Sequence, residues 1–137
     1  MTSEDIFVDT SAWIALADRD DTFHQKAASL FPSTLRTFRN LITSNLIIAE
    51  TYVLLLHELG HQPALRFLEK VKGSPRIFKI YSTEDLESEA EEILIKYIDQ
   101  DFSYTDAVSF TIMKRHKIKK AFCFDKHFVT AGFMNVP

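Results

Sequence analysis

Four carboxylic acids, far apart in the chain, stand where an acid can do chemistry. Asp9 closes the apolar run of FVDTSAW, Glu50 interrupts LIIAETYVLL, Asp106 opens SYTDAVSF and Asp125 follows the aromatic run of CFDKHF. Taken singly, most of them have an ordinary explanation. Asp9 or Asp125 would cap the helix that follows it, and Asp106 would complete a capping box begun by Ser103, because short polar side chains accept from the free N–H groups of a first helical turn. Glu50 resists such a local reading. Leu46, Ile47, Ile48 and Ala49 precede it and Val53, Leu54 and Leu55 follow it, so its charge is expected to face a semi-buried space.

If these acids converge, they need a counter-ion. Two carboxylates about 4 Å apart repel by roughly 4 kcal/mol at an effective dielectric near ~20, which raises their pKa values unless a cation sits between them. Oxygen-only ligation suits Mg²⁺ or Mn²⁺. A divalent ion so held can activate water for in-line attack on a phosphodiester and neutralise the charge that builds on the phosphate and leaving oxygen. The set therefore points to nuclease chemistry.

A second pattern competes with it. His57-Glu58-Leu59-Gly60-His61 matches H-E-x-x-H, in which two histidines on one face of an unbroken helix hold zinc and the glutamate serves as base. Its surroundings argue against that use. Pro63 pushes Gln62 away from helical angles, so the helix is expected to end near Leu59, leaving His61 in a turn. The extended form of the pattern also wants Gly and His where the chain has Ala64 and Phe67. Zinc chemistry stays a minor alternative, and a helix C-terminus bearing surface charges is the plainer reading.

The elements that must position the acids follow from periodicity and caps. Ile6-Phe7-Val8 reads as a strand, TSAWIALADRD as a helix, and Thr22 to about Phe38 as a further helix that Pro32 breaks or restarts. Leu41-Ile42-Thr43 reads as a strand, and SNLIIAETYVLLLHEL as a helix capped by Ser44 or Asn45 and buried on most sides. PALRFLEKV is a helix with Pro63 in its first turn, and RIFKIY is a strand. Capping boxes at Ser82–Asp85 and Ser103–Asp106 open helices running to about Ile98 and Lys117. KAFCFD is a strand ending in Asp125, and GFMNVP a last strand. Strands separated by helical segments predict an α/β fold, a three-layer α/β/α sandwich with a mostly parallel central sheet, in which functional groups gather at the carboxyl ends of the strands.

Length and composition agree with one domain spanning residues 1–137. Hydrophobic residues make up 46% and charged residues 26%, which excludes a disordered chain, and no apolar run approaches the roughly 20 residues of a membrane span. Acids near the N-terminus, where a secretory signal carries bases, point to a cytoplasmic protein. The single cysteine, Cys123, excludes an internal disulfide framework and reads as a core residue. A net charge of −3 gives the whole molecule no bulk attraction to nucleic acid, so any such affinity must be local.

In order and spacing these motifs resemble the PIN-domain ribonucleases, and most closely the VapC-type toxins of toxin–antitoxin pairs. The resemblance covers nearly the whole chain. It rests on FVDTSAW, on Glu50 in a central helix, on the Asp106-Ala107 pair at a helix start, and on Asp125 with Phe128 after a late strand. It implies that Asp9, Glu50, Asp106 and Asp125 ligate one or two Mg²⁺ or Mn²⁺ ions, that Ser11 steadies the first acid or a metal-held water, and that the fold is a small α/β/α sandwich. It also implies RNA as substrate, a homodimer, and inhibition by a small antitoxin inserted near the acids. Two departures stand out. Cys123-Phe124 replaces the Thr or Ser frequent before the last acid, and Ser109 and Phe110 replace alanines frequent after the D-A pair.

RNA and partner contacts are read from charge and aromatics. MKRHKIKK, residues 113 to 120, is the dense basic run, and a solvated helix end complementing the dipole is a plainer reading than RNA contact. Arg36, Arg39 and Lys126 are expected to add positive charge nearer the acids. Trp13, Phe23 and Phe128 are candidates for stacking bases, and Trp13, Leu16 and Phe23 for an apolar antitoxin groove, although core packing is the commoner fate of such side chains. A phosphoacceptor signalling module and a catalytically idle PIN scaffold are the alternatives. The former wants paired acids after the first strand, where this chain offers Asp9 alone.

Overall fold

The computed structural model describes residues 4–137. β1 (Ile6–Val8) has no exposed surface, as a strand covered on both faces requires; such strands are apolar throughout instead of alternating. β2 (Leu41–Ser44) lies on one side of it and β4 (Lys120–Phe122) on the other. β3 (Ile77–Ile80) and β5 (Met134–Val136) form the edges, giving the order β3-β2-β1-β4-β5 with every pairing parallel. The expected mostly parallel sandwich is thus borne out.

Parallel neighbours need crossovers, and helices supply them. α1 (Thr10–Ala17) and α2 (His24–Thr37) join β1 to β2, and α3 (Asn45–Leu59) and α4 (His61–Gly73) join β2 to β3. α5 (Glu84–Lys96) and α6 (Tyr104–Arg115) return to β4, and the short α7 (His127–Thr130) precedes β5. Right-handed crossovers put α1–α4 on one face and α5–α7 on the other. The packing agrees, with α1 on α2 and α3, α3 on α4, α5 on α6 and α6 on α7. Phe7, Phe110, Phe122 and Phe128 are among the largest fully buried side chains of the core.

Several boundaries differ from expectation for physical reasons. α2 continues through Pro32, which costs a backbone hydrogen bond, because Ala27 and Thr34 are buried on its inner face and the Ser33 and Thr34 hydroxyls both donate to the Leu30 carbonyl. α3 starts at a Ser44 cap whose Oγ accepts from Ile47 N, yet it is buried along one stripe only: Ile47, Ile48, Thr51 and Leu55 face inward while Val53 and Leu54 are exposed. α5 is capped by Thr83, not by a Ser82–Asp85 box; Ser82 Oγ instead donates to Glu87 across 2.7 Å. It ends at Lys96, and Ile98 is exposed. The Ser103–Asp106 box does form, in both directions, and α6 ends at Arg115.

Candidate active site

Strand order decides where the site lies. The chain moves from β1 outward through β2 to β3, then crosses back to β4 on the other side of β1 and onward to β5. Crossovers therefore leave β1 and β4 in opposite directions, which opens a crevice beyond the carboxyl ends of these two strands. Asp9 directly follows β1. Asp125 lies three residues past β4, in the turn before α7, so the expectation that it ends the strand was too long by that turn.

Asp9 has extended backbone angles and caps α1, as expected of an acid before that helix. Its Oδ2 accepts from Ser11 N at 3.3 Å and from Ser11 Oγ at 3.0 Å. Ser11 Oγ in turn accepts from Phe124 N at 3.0 Å, so one hydroxyl ties the end of β1 to the turn after β4. Burial, and then the charges of Asp125 and Asp106, push the Asp9 carboxyl up to about 7, against the lowering effect of the Ser11 hydrogen bonds. Asp125 and Asp106 thus lie close enough to Asp9 for their charges to act on it.

Asp106 comes from the far side of the sheet, where the capping box fixes it: its Oδ2 accepts from Ser103 N at 3.0 Å while Ser103 Oγ accepts from Asp106 N at 3.0 Å. The same Oδ2 is 3.0 Å from His127 Nδ1. His127 also donates its backbone N–H to Asp125 Oδ1 at 2.9 Å, the turn expected of an aspartate two residues before a helix start. Asn135 Nδ2 donates to the Asp125 carbonyl at 2.8 Å, and Cys123 Sγ lies 3.0 Å from Asn135 Oδ1. Cys123 is buried as expected of a core residue, and burial, with Asp9 and Asp125 nearby, pushes its thiol well above the ordinary range.

A common pattern runs through the three acids. On each, the hydrogen bonds from protein donors fall on one oxygen, and the other has no partner among the described residues. No lysine or arginine forms an ion pair with any of the three among the described residues; His127 is the cationic candidate beside them. Oriented carboxylates with one free oxygen each suit a hard divalent cation. Among the described residues, however, no three His, Cys, Asp or Glu side chains already stand as one ion's ligand set.

Glu50 corrects an expectation. It is exposed on α3, because it shares the outer face with Val53 and Leu54, three and four positions on, instead of the buried stripe of Ile47, Ile48, Thr51 and Leu55. Its charge is not among those that act on Asp9. The structure thus brings together Asp9, Asp106 and Asp125 and leaves Glu50 toward solvent on the element next to them.

Other candidates resolve more simply. Gly60, at φ 94°, both ends α3 and precedes α4, so His57 and His61 stand exposed on different helices and His61 opens α4 instead of lying in a turn. That break removes the zinc reading. The basic run lies at the C-terminus of α6 and the start of β4, the amino edge of the sheet, with Arg115 about 13 Å of helix from Asp106. There Arg115 pairs with Asp85 at 2.8 Å and Glu89 at 3.0 Å, as a solvated helix end would. Arg36 and Arg39 flank the α2–β2 connection at the same far edge, so of the three expected bases only Lys126, exposed beside Asp125, is near the acids. Trp13 and Phe128 are buried, Trp13 against Phe67, so neither stacks bases and Trp13 lines no groove. Phe23 is exposed and stacks on Phe124 with centroids 4.7 Å apart. His127 was missed by sequence reading, although an aspartate two residues before a helix start was a visible signal for its backbone contact.

Comparison with known proteins agrees with this geometry. The PIN domain family matches residues 6–134. The chain is 36% identical over 131 residues to the 23S rRNA-specific endonuclease VapC20 of Mycobacterium tuberculosis, covering 96% of this chain and 97% of that one. A VapC ribonuclease of Archaeoglobus fulgidus is 27% identical over 114 residues, 82% of this chain and 72% of that one. The crystal structure of the mycobacterial VapC20, described as a sarcin-ricin loop cleaving toxin, superposes with a TM-score of 0.89 at 35% identity, covering 96% and 98% of the two chains. This chain belongs to the PIN domain family.

Proposed function

We propose that the protein is a divalent-metal-dependent endoribonuclease and the toxin of a toxin–antitoxin pair. The observation that carries this reading is the meeting of Asp9, Asp106 and Asp125 at the switch point of the sheet, with Asp9 pushed up to about 7 by burial and by the other two. A buried carboxylate in that state is relieved by a cation. Asp9, Asp106 and Asp125 would hold Mg²⁺ or Mn²⁺ through their free oxygens, with Glu50 joining from the solvent side of α3. Bound there, the ion supplies Lewis-acid polarisation of a phosphodiester and neutralises charge that builds during in-line attack. Ser11 would orient Asp9, and Lys126, exposed beside Asp125, would meet a backbone phosphate. The VapC relatives support RNA as the substrate, and the 36% likeness to a 23S rRNA-specific endonuclease makes ribosomal RNA the first to try. A homodimer and a small antitoxin partner belong to the same reading.

The test is incubation of ribosomal and unstructured RNA with Mg²⁺ or Mn²⁺, comparing the wild type with Asp9→Asn and Asp106→Asn. Cleavage by the wild type alone is expected. Equal activity in all three proteins would sink the assignment. The idle-scaffold reading is favoured by one observation, the lack of a ready-made ligand set among the described residues. It predicts no cleavage and no uptake of Mn²⁺ by the wild type.

A further inference from the structure

We infer that His127 is a positioning residue for two of the three acids and sets their readiness to bind a divalent ion; this rests on the metal-dependent reading above. A carboxylate only accepts, so the contact of 3.0 Å between His127 Nδ1 and Asp106 Oδ2 requires the proton on Nδ1. That donor joins Ser103 N on the same oxygen, which fixes the carboxylate and turns its other oxygen away from protein donors. Meanwhile the His127 backbone N–H holds Asp125 Oδ1 at 2.9 Å. One residue thus ties an acid at the head of α6 to an acid in the turn after β4.

The imidazole is itself held. The edge of Phe102 meets its ring at 5.5 Å and 76°, and Phe102 packs on Phe110 of the core at 5.0 Å. The side chain is only partly exposed, at 30%. A ring fixed by packing, with one nitrogen committed to a carboxylate, is the arrangement by which outer partners orient metal ligands, and losing such a partner typically weakens metal affinity about 10- to 100-fold.

The experiment is calorimetric titration of Mn²⁺ into the RNA-free protein, for the wild type and for His127→Leu, His127→Gln and His127→Asn. Asparagine carries an amide N–H close to the place of Nδ1, whereas the glutamine amide is one bond too far. Leu and Gln should weaken Mn²⁺ binding by about tenfold or more, and Asn should stay within about threefold of the wild type. Thermal melts without metal report on folding, and if the Leu variant does not fold, the polar Gln variant decides. Wild-type affinity in the Leu or Gln variants, or an Asn variant as weak as Leu, overturns the inference while leaving the nuclease reading intact. A wild type that takes up no Mn²⁺ overturns both.

Discussion

Residues 57–61 and the acid cluster are opposites. HELGH satisfies a metal-binding pattern letter for letter within five adjacent positions, yet one glycine at φ 94° puts its histidines on two helices. The acids satisfy no contiguous pattern, since more than a hundred positions separate Asp9 from Asp125, yet the topology of the sheet brings them within one electrostatic environment. Nearness along a chain guarantees nearness in space only inside an unbroken element. Distant residues meet reliably when each is fixed to the end of a strand or the head of a helix that the fold must bring together.

The largest effect that would break this contrast concerns activity. Asp9→Asn should lower RNA cleavage by at least about 100-fold, the loss of roughly 3 kcal/mol of transition-state stabilisation, because it removes charge from the most buried of the three acids. Single-turnover cleavage at saturating Mn²⁺ measures it, and a drop of less than about fivefold would mean that this acid is only a helix cap.

The next prediction concerns stability of the metal-free protein. The folded pKa of Asp9, about 7, lies above its ordinary 3.8, so the folded state favours the protonated form. The stabilisation is complete below about 3.8 and is lost as pH rises toward 7, where the folded protein must hold a buried charge. A shift of about 3 pH units corresponds to at most ~4 kcal/mol. Asparagine keeps the cap without the charge. In EDTA, Asp9→Asn should therefore melt several degrees above the wild type at pH 8, and the gap should shrink by pH 5. A gap independent of pH would show that burial and neighbouring charge do not govern this acid.

How much was legible in the sequence follows the same contrast. Asp9 and the Ser103–Asp106 box were readable because a cap depends on a few adjacent residues, and the parallel sheet because short strands alternate with helical segments along the chain. The environment of Glu50 was misread because apolar neighbours in a sequence surround a helix, and only some of them face the core. The far placement of Arg36, Arg39 and the basic run follows from where α2 and α6 end, which no local pattern states. His127 was missed for a related reason. Its backbone contact is local, but its side chain meets Asp106 across 21 positions, a distance only the folded turn closes.

A smaller effect tests the acid that stands apart. Glu50→Gln should lower cleavage by about tenfold, near 1.4 kcal/mol, and should leave the pH dependence of melting unchanged, because its charge does not act on Asp9. A loss as large as that of Asp9→Asn would mean that α3 turns this carboxylate inward when metal and RNA are bound.

The smallest effect is expected where the sequence pattern is most complete. His57→Ala and His61→Ala remove exposed side chains on either side of the Gly60 break, and neither makes a hydrogen bond or ion pair among the described residues. Surface substitutions of this kind change stability by no more than about 0.5 kcal/mol. Each variant should cleave RNA within about twofold of the wild type, and metal analysis should find no zinc that either substitution removes. Stoichiometric zinc lost from His57→Ala would require α3 and α4 to fuse across a glycine whose φ of 94° lies outside helical geometry, and so would overturn the contrast at its physical root.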